Sequence, residues 1–313
     1  MLPINLAIVG VGKIARDQHL PSIADNPDLR LVAAASRNGA VEGIPNFTTI
    51  EAMLDAIPSI DAVSLCMPPQ FRYDAAYTAI RANKHVFLEK PPGASLSEVV
   101  DLEMLATEKG VSLFTSWHSR YAAAVEAAKS FLASVKIESV HIVWKEDVRH
   151  WHPNQNWIWE AGGLGVFDPG INALSIVTHI MPTGIFLRSA TLEFPENKHA
   201  PIAAQLRFTN AENIPVHAEF DWRQVGEQTW NIIAKTSAGQ MVLSHGGSML
   251  TVDGAVMPVP SEAEYPALYR RFADLIGNGK SDVDLAPLRH VADSFMLGER
   301  VVVAPFHDLP EAD

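Results

Sequence analysis

Up to about residue 120 the chain alternates between short apolar runs and longer stretches with helical spacing. The apolar runs are almost continuous, as in parallel strands that are covered on both faces. They are INLAIVG (4–10), LRLVAAAS (29–36), DAVSLCM (61–67), KHVFLE (84–89) and VSLFTSW (111–117). In the helical stretch over residues 95–110, Ser95 and Glu98 have the spacing of a capping box. The repeated units predict an α/β domain with a doubly wound parallel sheet, which binds ligands at the carboxyl ends of its strands.

Beyond about residue 120 the pattern changes to longer strands in which apolar and polar positions alternate. These strands are VHIVWKEDV (140–148), IAAQLRF (202–208), VHAEFDWR (216–223), WNIIAKT (230–236) and MVLSHG (241–246). One apolar helix, VFDPGINALSIVTHIM (166–181), comes near the start of this half. Alternation is typical of antiparallel strands with one solvated face, so we predict a second, α+β domain with a large, mostly antiparallel open sheet. We place the two domains at residues 1–119 and 120–313.

Composition and charge exclude several kinds of partner. The 313 residues are 48% hydrophobic and 19% charged, enough for two large cores, and the formal net charge is −12. We expect neither a nucleic-acid nor a membrane partner, because both favour a concentrated basic surface. The apolar start, MLPINLAIVG, has no basic leader and is interpreted as a strand and not as a signal. The single cysteine, Cys66, excludes an intramolecular disulfide and favours a reducing cytoplasm.

A glycine motif, GVGKIA (10–15), lies between the first predicted strand and a helix. In a dinucleotide-binding turn Gly10 permits the tight bend, Gly12 lets the main chain approach a pyrophosphate, and Ala15 keeps helix and strand close. The helix N-terminus offers unpaired N–H groups to the anion. The residues expected to contact an NAD(P) cofactor here are Gly10, Gly12, Lys13 and Ile14. The alternative is a turn with only a structural role.

The residues after the second strand indicate which dinucleotide is preferred. NAD-specific sites usually carry Asp or Glu here to bind the ribose 2′-hydroxyl, whereas this strand ends ASRN (35–38). No carboxylate repels a 2′-phosphate, and the hydroxyl of Ser36 and the guanidinium of Arg37 can bind one. We therefore predict NADP as the preferred cofactor, with NAD as a second possibility. The alternative is that Ser36 and Arg37 form an ordinary solvated turn.

The stretch FLEKPP (87–92) ends an apolar strand. Pro91 and Pro92 restrict the main chain and keep Lys90 out of helical geometry, so its side chain is expected to point into the ligand cleft. A partly desolvated ammonium near a positive nicotinamide ring gives up its proton more readily, which makes Lys90 a candidate proton relay. We count Glu89 and Lys90 as cofactor contacts, and the Lys90-Pro91 bond can be cis or trans. The alternative is a plain surface lysine in a turn.

Three polar residues fall on one side of the apolar helix in the second half. Asp168, Asn172 and Ser175 have the spacing i, i+4 and i+7, and their neighbours are apolar. Inward-facing polar side chains need partners, so we expect Asp168 to accept a proton from a substrate hydroxyl or to hold Lys90 in position. Asn172 is expected to hydrogen-bond the substrate. The alternative, compatible with the first, is that Asp168 caps the helix, with Pro169 at its first position.

Aromatic residues gather in WHSR (117–120) and in KEDVRHWHPNQNWIWEAGG (145–163). Their polar and aromatic members are His118, His150, Trp151, His152, Asn154, Gln155, Trp157 and Trp159. A sugar presents an apolar CH face and a ring of hydroxyls, which suit indoles beside amides and imidazoles; lid or dimer contacts are the alternative. The histidines match no zinc motif and no cysteine supports them, so we predict no metal.

These motifs together resemble the Gfo/Idh/MocA family, named after glucose-fructose oxidoreductase and inositol dehydrogenase. The resemblance rests on the G-x-G-x-x-A start, on EKP after a strand and on a GG…D-x-G-x-N helix in the second domain. It covers essentially the whole chain, and longer stretches are similar to the bacterial sugar 1-dehydrogenases of this family, which act on D-galactose or L-arabinose. These stretches are GKIARDQHLP, TSWHSRY, WKEDVRHWHP, NWIWEAGGLGVFDPGINALSIV, AEFDWR and EYPALYRRF.

The resemblance implies an NAD(P)-dependent enzyme that oxidises an aldose at C1 to the aldonolactone. Much of the family has histidine where Asn172 stands and an acid where Ser175 stands, but the similar sugar 1-dehydrogenases also carry asparagine. The resemblance therefore leaves Lys90, oriented by Asp168, or Asp168 itself as the base. The catalytic residues are then Lys90, Asp168 and Asn172. The substrate contacts implied are His118, Trp151, His152, Asp168, Asn172 and Trp230.

Two other functions are compatible with these motifs. An inositol or other secondary-alcohol dehydrogenase of the family is disfavoured because Asn172 cannot act as acid or base. A non-catalytic, NADP-dependent sugar sensor is disfavoured because it has no need of a fixed Lys90. An open sheet face often pairs with its mate in this family, so the resemblance also implies a homodimer.

Overall fold

The structure is a computed structural model, and it describes residues 2–153, 155–260 and 264–307. Asn154, which belongs to the aromatic segment of the sequence, lies outside the described residues. Internal contacts divide the chain into two units. The first comprises Met1–Tyr121 and Ala263–Leu285, and the second comprises Ala122–Glu262 and Ala286–Asp313.

The strands, numbered in chain order, include every apolar or alternating run that the sequence predicts. They are β1 (Ile4–Val9), β2 (Leu29–Ala35), β3 (Asn46–Phe47), β4 (Ala62–Leu65), β5 (His85–Glu89), β6 (Leu113–Ser116), β7 (Ile137–Lys145), β8 (Phe186–Pro195), β9 (Ala203–Thr209), β10 (Val216–Asp221), β11 (Thr229–Thr236), β12 (Gly239–Ser244), β13 (Met249–Val252), β14 (Ala255–Val256) and β15 (Gly298–Val303). The sequence did not predict β3, β8, β13, β14 or β15.

The helices are mostly short. The α-helices are α1 (Leu20–Ala24), α2 (Ile50–Ala56), α3 (Arg72–Arg81), α4 (Leu96–Lys109), α5 (Val125–Ala133), α6 (Val148–Trp151), α7 (Phe167–Ile180), α8 (Glu264–Gly277) and α9 (Ala286–Leu297). Ala15–His19 forms a π turn, and the 3₁₀ turns are Pro69–Phe71, His118–Tyr121, Asn156–Trp159 and His245–Gly247. The predicted capping box at α4 is confirmed, because Ser95 and Glu98 each accept the other's main-chain N–H. None of the described helices is long and apolar enough to cross a membrane.

The first sheet has six strands among the described residues, in the order β3-β2-β1-β4-β5-β6, with parallel pairing throughout. The strand order runs outward in both directions from the neighbours β1 and β4, which is the doubly wound arrangement. The predicted parallel sheet is therefore confirmed. The carboxyl ends of β1, β2, β4 and β5 meet at one edge, and the glycine motif, Arg37 and Lys90 follow these strands.

Helix α8 packs on the first sheet although it follows most of the second unit in sequence. Its buried side chains are Tyr265, Leu268, Tyr269, Phe272 and Leu275, and they join a core that includes Leu6, Phe87 and Phe114. Each such side chain stabilises the fold by about 1.5–3 kcal/mol when it leaves water. This burial returns residues 263–285 to the first unit, whereas the sequence prediction had a single boundary after residue 119.

The second sheet has nine strands in the described part of the chain, in the order β14-β13-β12-β11-β7-β10-β9-β8-β15. Only β7 with β10 and β8 with β15 pair in parallel, so the predicted mostly antiparallel sheet is confirmed. Helix α7 lies between this sheet and helices α5 and α9, which explains why it is apolar on nearly every side. On the opposite, open face His141 and Lys145 contact Glu219 at 3.0 and 2.9 Å.

Candidate active site

The glycine motif directly follows β1. Gly10 has a φ of +89°, and a side chain at this position would collide with the main chain of Met67, so only glycine fits. Gly12 is exposed, and the space beside its Cα is open. The described residues of the first unit therefore leave the main chain at Gly12 open to a pyrophosphate, as the dinucleotide motif requires.

The end of β2 lies beside this loop. The hydroxyl of Ser36 accepts a hydrogen bond from the N–H of Val11 at 3.2 Å, so it holds the glycine motif against β2. Arg37 is exposed, and its guanidinium lies 5.4 Å from the ring centroid of Phe71, within cation–π distance. An exposed guanidinium on an aromatic support, with no acid at the strand end, is compatible with a 2′-phosphate.

Two further predicted cofactor contacts lie on the surface of the first unit. Lys13 forms an ion pair with Asp17, one helical turn further along the chain. Ile14 is 39% exposed, which is unusual for a large aliphatic side chain. Both residues stay predicted contacts of the dinucleotide.

Lys90 directly follows β5, and the Lys90-Pro91 bond is cis. The buried guanidinium of Arg72 donates hydrogen bonds to the carbonyls of Glu89 and Pro91, on either side of Lys90. It also donates to the carbonyl of Met67 after β4. The main chain at Lys90 is therefore fixed from the interior, in keeping with the stiffness that the prolines predict. Arg72 was not predicted as a site residue, because an arginine between the polar residues Gln70 and Asp74 carries no sign of burial.

The carboxylate of Glu89 is buried in the first unit. It accepts a hydrogen bond from the hydroxyl of Tyr265 at 2.6 Å, and its Oε1 lies 3.6 Å from Nε2 of His19. Burial acts to raise the pKa of Glu89, but the nearby His19, with the charges of His118 and Lys90, lowers it to about 2. Glu89 is therefore ionised in a structural position, and its contact with the cofactor stays a prediction.

The π turn at Ala15–His19 ends in the imidazole that faces Glu89. Nδ1 of His19 lies 2.7 Å from the hydroxyl of Tyr269, which in turn lies 2.9 Å from Oγ of Ser64. Burial acts to lower the pKa of His19, but its neighbours Cys66, Tyr269 and Glu89 raise it well above the ordinary value. The raised pKa favours the protonated imidazole, which faces the carboxylate of Glu89.

His118, a predicted substrate contact, begins the 3₁₀ turn that follows β6. Its ring stacks on that of Tyr265, with centroids 5.3 Å apart and planes at 18°, and its Nδ1 pairs with Glu264. The side chain of His118 is 15% exposed. These two contacts fix the plane of the imidazole.

In the second unit Asp168 lies in the first turn of α7 and is buried. Its Oδ2 lies 3.3 Å from Nε2 of His152, so two predicted substrate contacts lie together. The alternative in which Asp168 caps the helix is wrong. Val166 already has helical backbone angles and the helix begins at Phe167, so Asp168 is inside the first turn and Pro169 follows it.

The three members of the polar stripe on α7 have different surroundings. Ser175 is buried, and its hydroxyl donates a hydrogen bond to the main-chain carbonyl of Asn172 at 2.7 Å. Asn172 itself is half-buried. Asp168 and Asn172 stay predicted substrate contacts, whereas the hydroxyl of Ser175 is bonded within the helix.

The aromatic segment divides between core and surface. Trp159 is buried against Trp222, with ring centroids 5.2 Å apart, so it is a core residue. Trp151 is 42% exposed, and its ring lies 5.6 Å from that of the half-buried Trp230. The ring of His152 lies 5.4 Å from that of Trp222. The predicted sugar contacts Trp151, His152 and Trp230 thus belong to one aromatic cluster of the second unit.

A buried acid that sequence analysis missed holds this cluster together. Glu146, directly after β7, accepts hydrogen bonds from the indole N–H groups of Trp222 at 3.2 Å and Trp230 at 3.0 Å. It fixes both indoles by their polar ends, and the ring of Trp230 lies against Trp151. The signal was the alternation of β7, because Glu146 occupies the next inward position after Trp144, where an acid needs partners.

Known proteins resemble this chain over almost its full length. Residues 4–116 match the Gfo/Idh/MocA family, described as an oxidoreductase family with an NAD-binding Rossmann fold. The chain is 45% identical over 308 residues to galactose 1-dehydrogenase of Pseudomonas fluorescens, which covers 98% of this chain and 100% of that protein. The chain belongs to the Gfo/Idh/MocA oxidoreductase family. The family prediction from the sequence is therefore confirmed.

Two solved structures are similar to this Gfo/Idh/MocA member. The crystal structure of D-galactose-1-dehydrogenase from Rhizobium etli has a TM-score of 0.96 and 71% identity, and covers 98% of this chain and 99% of that one. A 3-ketoreductase from Actinomadura kijaniata, in complex with TDP-benzene and NADP, has a TM-score of 0.81, 18% identity and coverage of 96% and 99%. The latter likeness shows the fold alone.

As a Gfo/Idh/MocA oxidoreductase the protein is an enzyme with an NAD-binding Rossmann domain, which confirms those two predictions and sets aside the non-catalytic sensor. Within the described ranges, no group of three or more histidine, cysteine or acidic side chains is arranged to hold a metal ion. The absence of a metal from the reaction stays a prediction.

Proposed function

We propose that this enzyme oxidises D-galactose at C1 to the aldonolactone with an NAD(P) cofactor. The observation that carries the proposal is full-length similarity to two proteins named galactose 1-dehydrogenase, one of them 71% identical. The similarity extends over the second unit as well as the first, and the second unit contains most of the predicted sugar contacts. A match to the Rossmann domain alone would support only the cofactor.

The reaction needs a hydride acceptor, a proton acceptor and groups that hold the sugar. NAD(P)⁺ bound at the glycine motif supplies the hydride acceptor, so that loss of the C1 hydride and of the hydroxyl proton leaves the lactone carbonyl. We assign the proton to Lys90, because Arg72 fixes the main chain on both sides of that amine. Asp168 is the second candidate for the proton acceptor, since its carboxylate lies beside His152, which can take the proton from it.

The sugar itself is assigned to polar and aromatic side chains. Asn172 and His118 would position the anomeric end, because an amide and an imidazole each donate or accept a hydrogen bond. Trp151 and Trp230 would cover the CH face of the ring, and His152 would bind its hydroxyls. The cluster that Glu146 and Asp168 hold together in the second unit supports this assignment.

L-Arabinose is the second substrate that we propose. It shares with D-galactose the configuration at C2, C3 and C4 and lacks only the C6 hydroxymethyl group. D-Glucose differs at C4, where galactose has an axial hydroxyl. A site that hydrogen-bonds a hydroxyl discriminates strongly against a sugar that places it elsewhere, so we expect glucose to be a poor substrate.

We propose NADP as the preferred cofactor. The supporting observation is Arg37, which lies on the ring of Phe71 after β2, where an NAD-specific site usually carries an acid. A guanidinium forms paired, charge-assisted hydrogen bonds with a phosphate. An NAD-specific enzyme would have to bind the ribose 2′-hydroxyl without an Asp or Glu at the end of β2.

An inositol or other secondary-alcohol dehydrogenase is the remaining alternative within the family. It differs from the proposal in the oxidised carbon, which is a ring CH–OH and not the anomeric centre. Asn172 counts against it because an amide cannot titrate near neutral pH, so the residue cannot act as acid or base.

A substrate panel tests the proposed function. We expect the purified enzyme to reduce NADP faster than NAD with D-galactose and L-arabinose, and to turn over D-glucose and myo-inositol slowly or not at all. The absorbance of the reduced nicotinamide measures each rate. Turnover with myo-inositol alone would contradict the proposal, and faster reduction of NAD would contradict the role of Arg37.

We also propose a homodimer that forms through the open face of the second sheet. Half-exposed apolar residues lie there among polar ones, including Val143, Ile233 and Val242. Ile233 and Val242 are opposite each other on β11 and β12, so they form one apolar patch. Light scattering in solution tests the proposal, because the mass of a single chain would contradict it. A cytoplasmic location stays a prediction from the single cysteine.

A further inference from the structure

A buried cluster in the first unit has no part in the mechanism above. Glu89 directly precedes Lys90, and its carboxylate accepts the hydroxyl hydrogen bond of Tyr265 at 2.6 Å. His19 approaches the same carboxylate oxygen to 3.6 Å. All three side chains are almost completely buried. Their position next to Lys90 requires another explanation.

The cluster holds Glu89 in one place. A carboxylate inside a protein is costly unless donors or positive charges surround it, and here the neighbouring imidazole of His19 is itself held. Nδ1 of His19 lies 2.7 Å from the hydroxyl of Tyr269, and that hydroxyl lies 2.9 Å from Oγ of Ser64. Because Glu89 and Lys90 are consecutive, a fixed Glu89 side chain limits the movement of Lys90.

Tyr265 also touches a second candidate site residue. Its ring stacks on His118 with centroids 5.3 Å apart and planes at 18°. Glu264, the preceding residue, pairs with Nδ1 of the same imidazole. The hydroxyl of Tyr265 therefore acts on the neighbour of Lys90, and its ring acts on His118.

We propose that Tyr265 is a positioning residue for the reaction. Its hydroxyl holds Glu89, and through it the main chain of Lys90, while its ring sets the plane of His118. The proposal rests on the proposed function, because it has Tyr265 orient the proton acceptor, Lys90, and one sugar contact, His118. The expected consequence is that loss of one buried hydroxyl slows turnover without weakening dinucleotide binding.

The variant Tyr265→Phe removes the hydroxyl and keeps the ring on His118. We expect kcat for the aldose to fall about tenfold and the Kd of NADPH to stay within about twofold, as for loss of a hydrogen bond to a charged group. The matched control is Tyr73→Phe, because Tyr73 donates to Asp101 at the same distance of 2.6 Å, between α3 and α4. Its kcat and Kd should equal those of the wild type.

A second readout does not depend on turnover. Acetic anhydride acetylates lysine amines, and mass spectrometry gives the rate at each position. Lys84, whose ammonium donates to the carbonyls of Pro58 and Ile60, serves as the internal reference. We expect the ratio of Lys90 to Lys84 labelling to change at least about twofold in Tyr265→Phe and in Glu89→Gln, because the surroundings of the amine change. Tyr73→Phe should leave the ratio unchanged.

The two readouts together decide the proposal. It is overturned if Tyr265→Phe is folded and either its kcat or its Lys90 labelling equals that of the wild type. If the wild type oxidises no aldose, the proposed function fails by itself, and the labelling ratio alone then decides the positioning role. If Tyr265→Phe does not fold, the labelling of Glu89→Gln, which preserves the size of the side chain, decides in its place.

Discussion

Glu146 is a single carboxylate that organises an aromatic surface of the second unit. It accepts the indole N–H groups of Trp222 and Trp230, which leaves the face of Trp230 free to lie against Trp151. An indole N–H in a buried place requires an acceptor, and an acid in a buried place requires donors. Each group therefore satisfies the other, and the orientation of the rings follows.

We predict that Glu146→Gln weakens sugar binding and spares the cofactor. Glutamine has one acceptor oxygen, and its NH₂ group would face an indole N–H, so one tryptophan loses its partner. The KM for D-galactose should rise about tenfold, while the KM for NADP stays within about twofold. Steady-state kinetics measure both. The matched control is Glu212→Gln, because Glu212 is an exposed acid of the second unit that accepts a hydrogen bond from Thr183. Equal KM values for D-galactose in the two variants would refute the role of Glu146.

The roles of some residues can be predicted from the sequence, and the roles of others cannot. Lys90 and Gly10 are visible because prolines and a glycine motif restrict the main chain around them. Arg72 on α3 and Tyr265 on α8 contact Glu89 from 17 and 176 residues away, and nothing in the local pattern says what they contact. Their roles depend on tertiary packing, which periodicity does not encode.

The π turn, β5 and α8 meet at a buried ion pair. His19 ends the π turn, Glu89 ends β5, and Tyr265 on α8 donates to the carboxylate. A π turn contains one more residue than an α-helical turn, and this changes which side chains of the helix face inward. His19 is one of them, and it is fully buried.

This pair makes the stability of the first unit depend on pH. Burial opposes ionisation of Glu89, but His19 lowers its pKa from 4.5 to about 2, so the stabilisation is complete above pH 4.5 and is lost as the pH falls towards 2. The pKa of His19 is raised above 6.5, despite burial, by Cys66, Tyr269 and Glu89. Its contribution is therefore complete below pH 6.5 and is lost as the pH rises through the raised value.

We predict that Glu89→Gln lowers the free energy of unfolding by about 3 kcal/mol near neutral pH, as expected when one partner of a buried pair is removed. The difference from the wild type should shrink as the pH falls from 4.5 towards 2. Urea unfolding across this range measures it. Glu103→Gln, an exposed acid on α4, is the control and should show no such difference. A difference that stays constant with pH would contradict the buried ion pair.

At the level of elements, prediction succeeded where a strand or helix carries its own signal. The nearly continuous apolar runs gave β1, β2, β4, β5 and β6, because a strand buried on both faces needs no partner-specific pattern. The return of α8 to the first sheet was not predicted. Its amphipathic pattern shows that one side is buried, but the pattern is the same whichever sheet receives it.

In the whole molecule, the predicted site residues are distributed over both units. The first unit contains the glycine motif, Arg37 and Lys90, and the second contains Asp168 and the aromatic cluster of Trp151. The sequence predicted both sheet types because parallel and antiparallel strands differ in their polar pattern. The net charge of −12 also belongs to this scale, and it disfavours any polyanionic partner.

The central claim is that the oxidised carbon is C1 of an aldose. The most direct test is to incubate the enzyme with D-galactose labelled with ¹³C at C1 and with NADP⁺, and to record the ¹³C spectrum of the product. We predict that the labelled carbon becomes a lactone or carboxylate carbonyl, and that Lys90→Ala protein leaves it anomeric. A labelled carbon that stays anomeric in the wild type while NADPH accumulates would mean oxidation at a ring CH–OH, and would contradict the account.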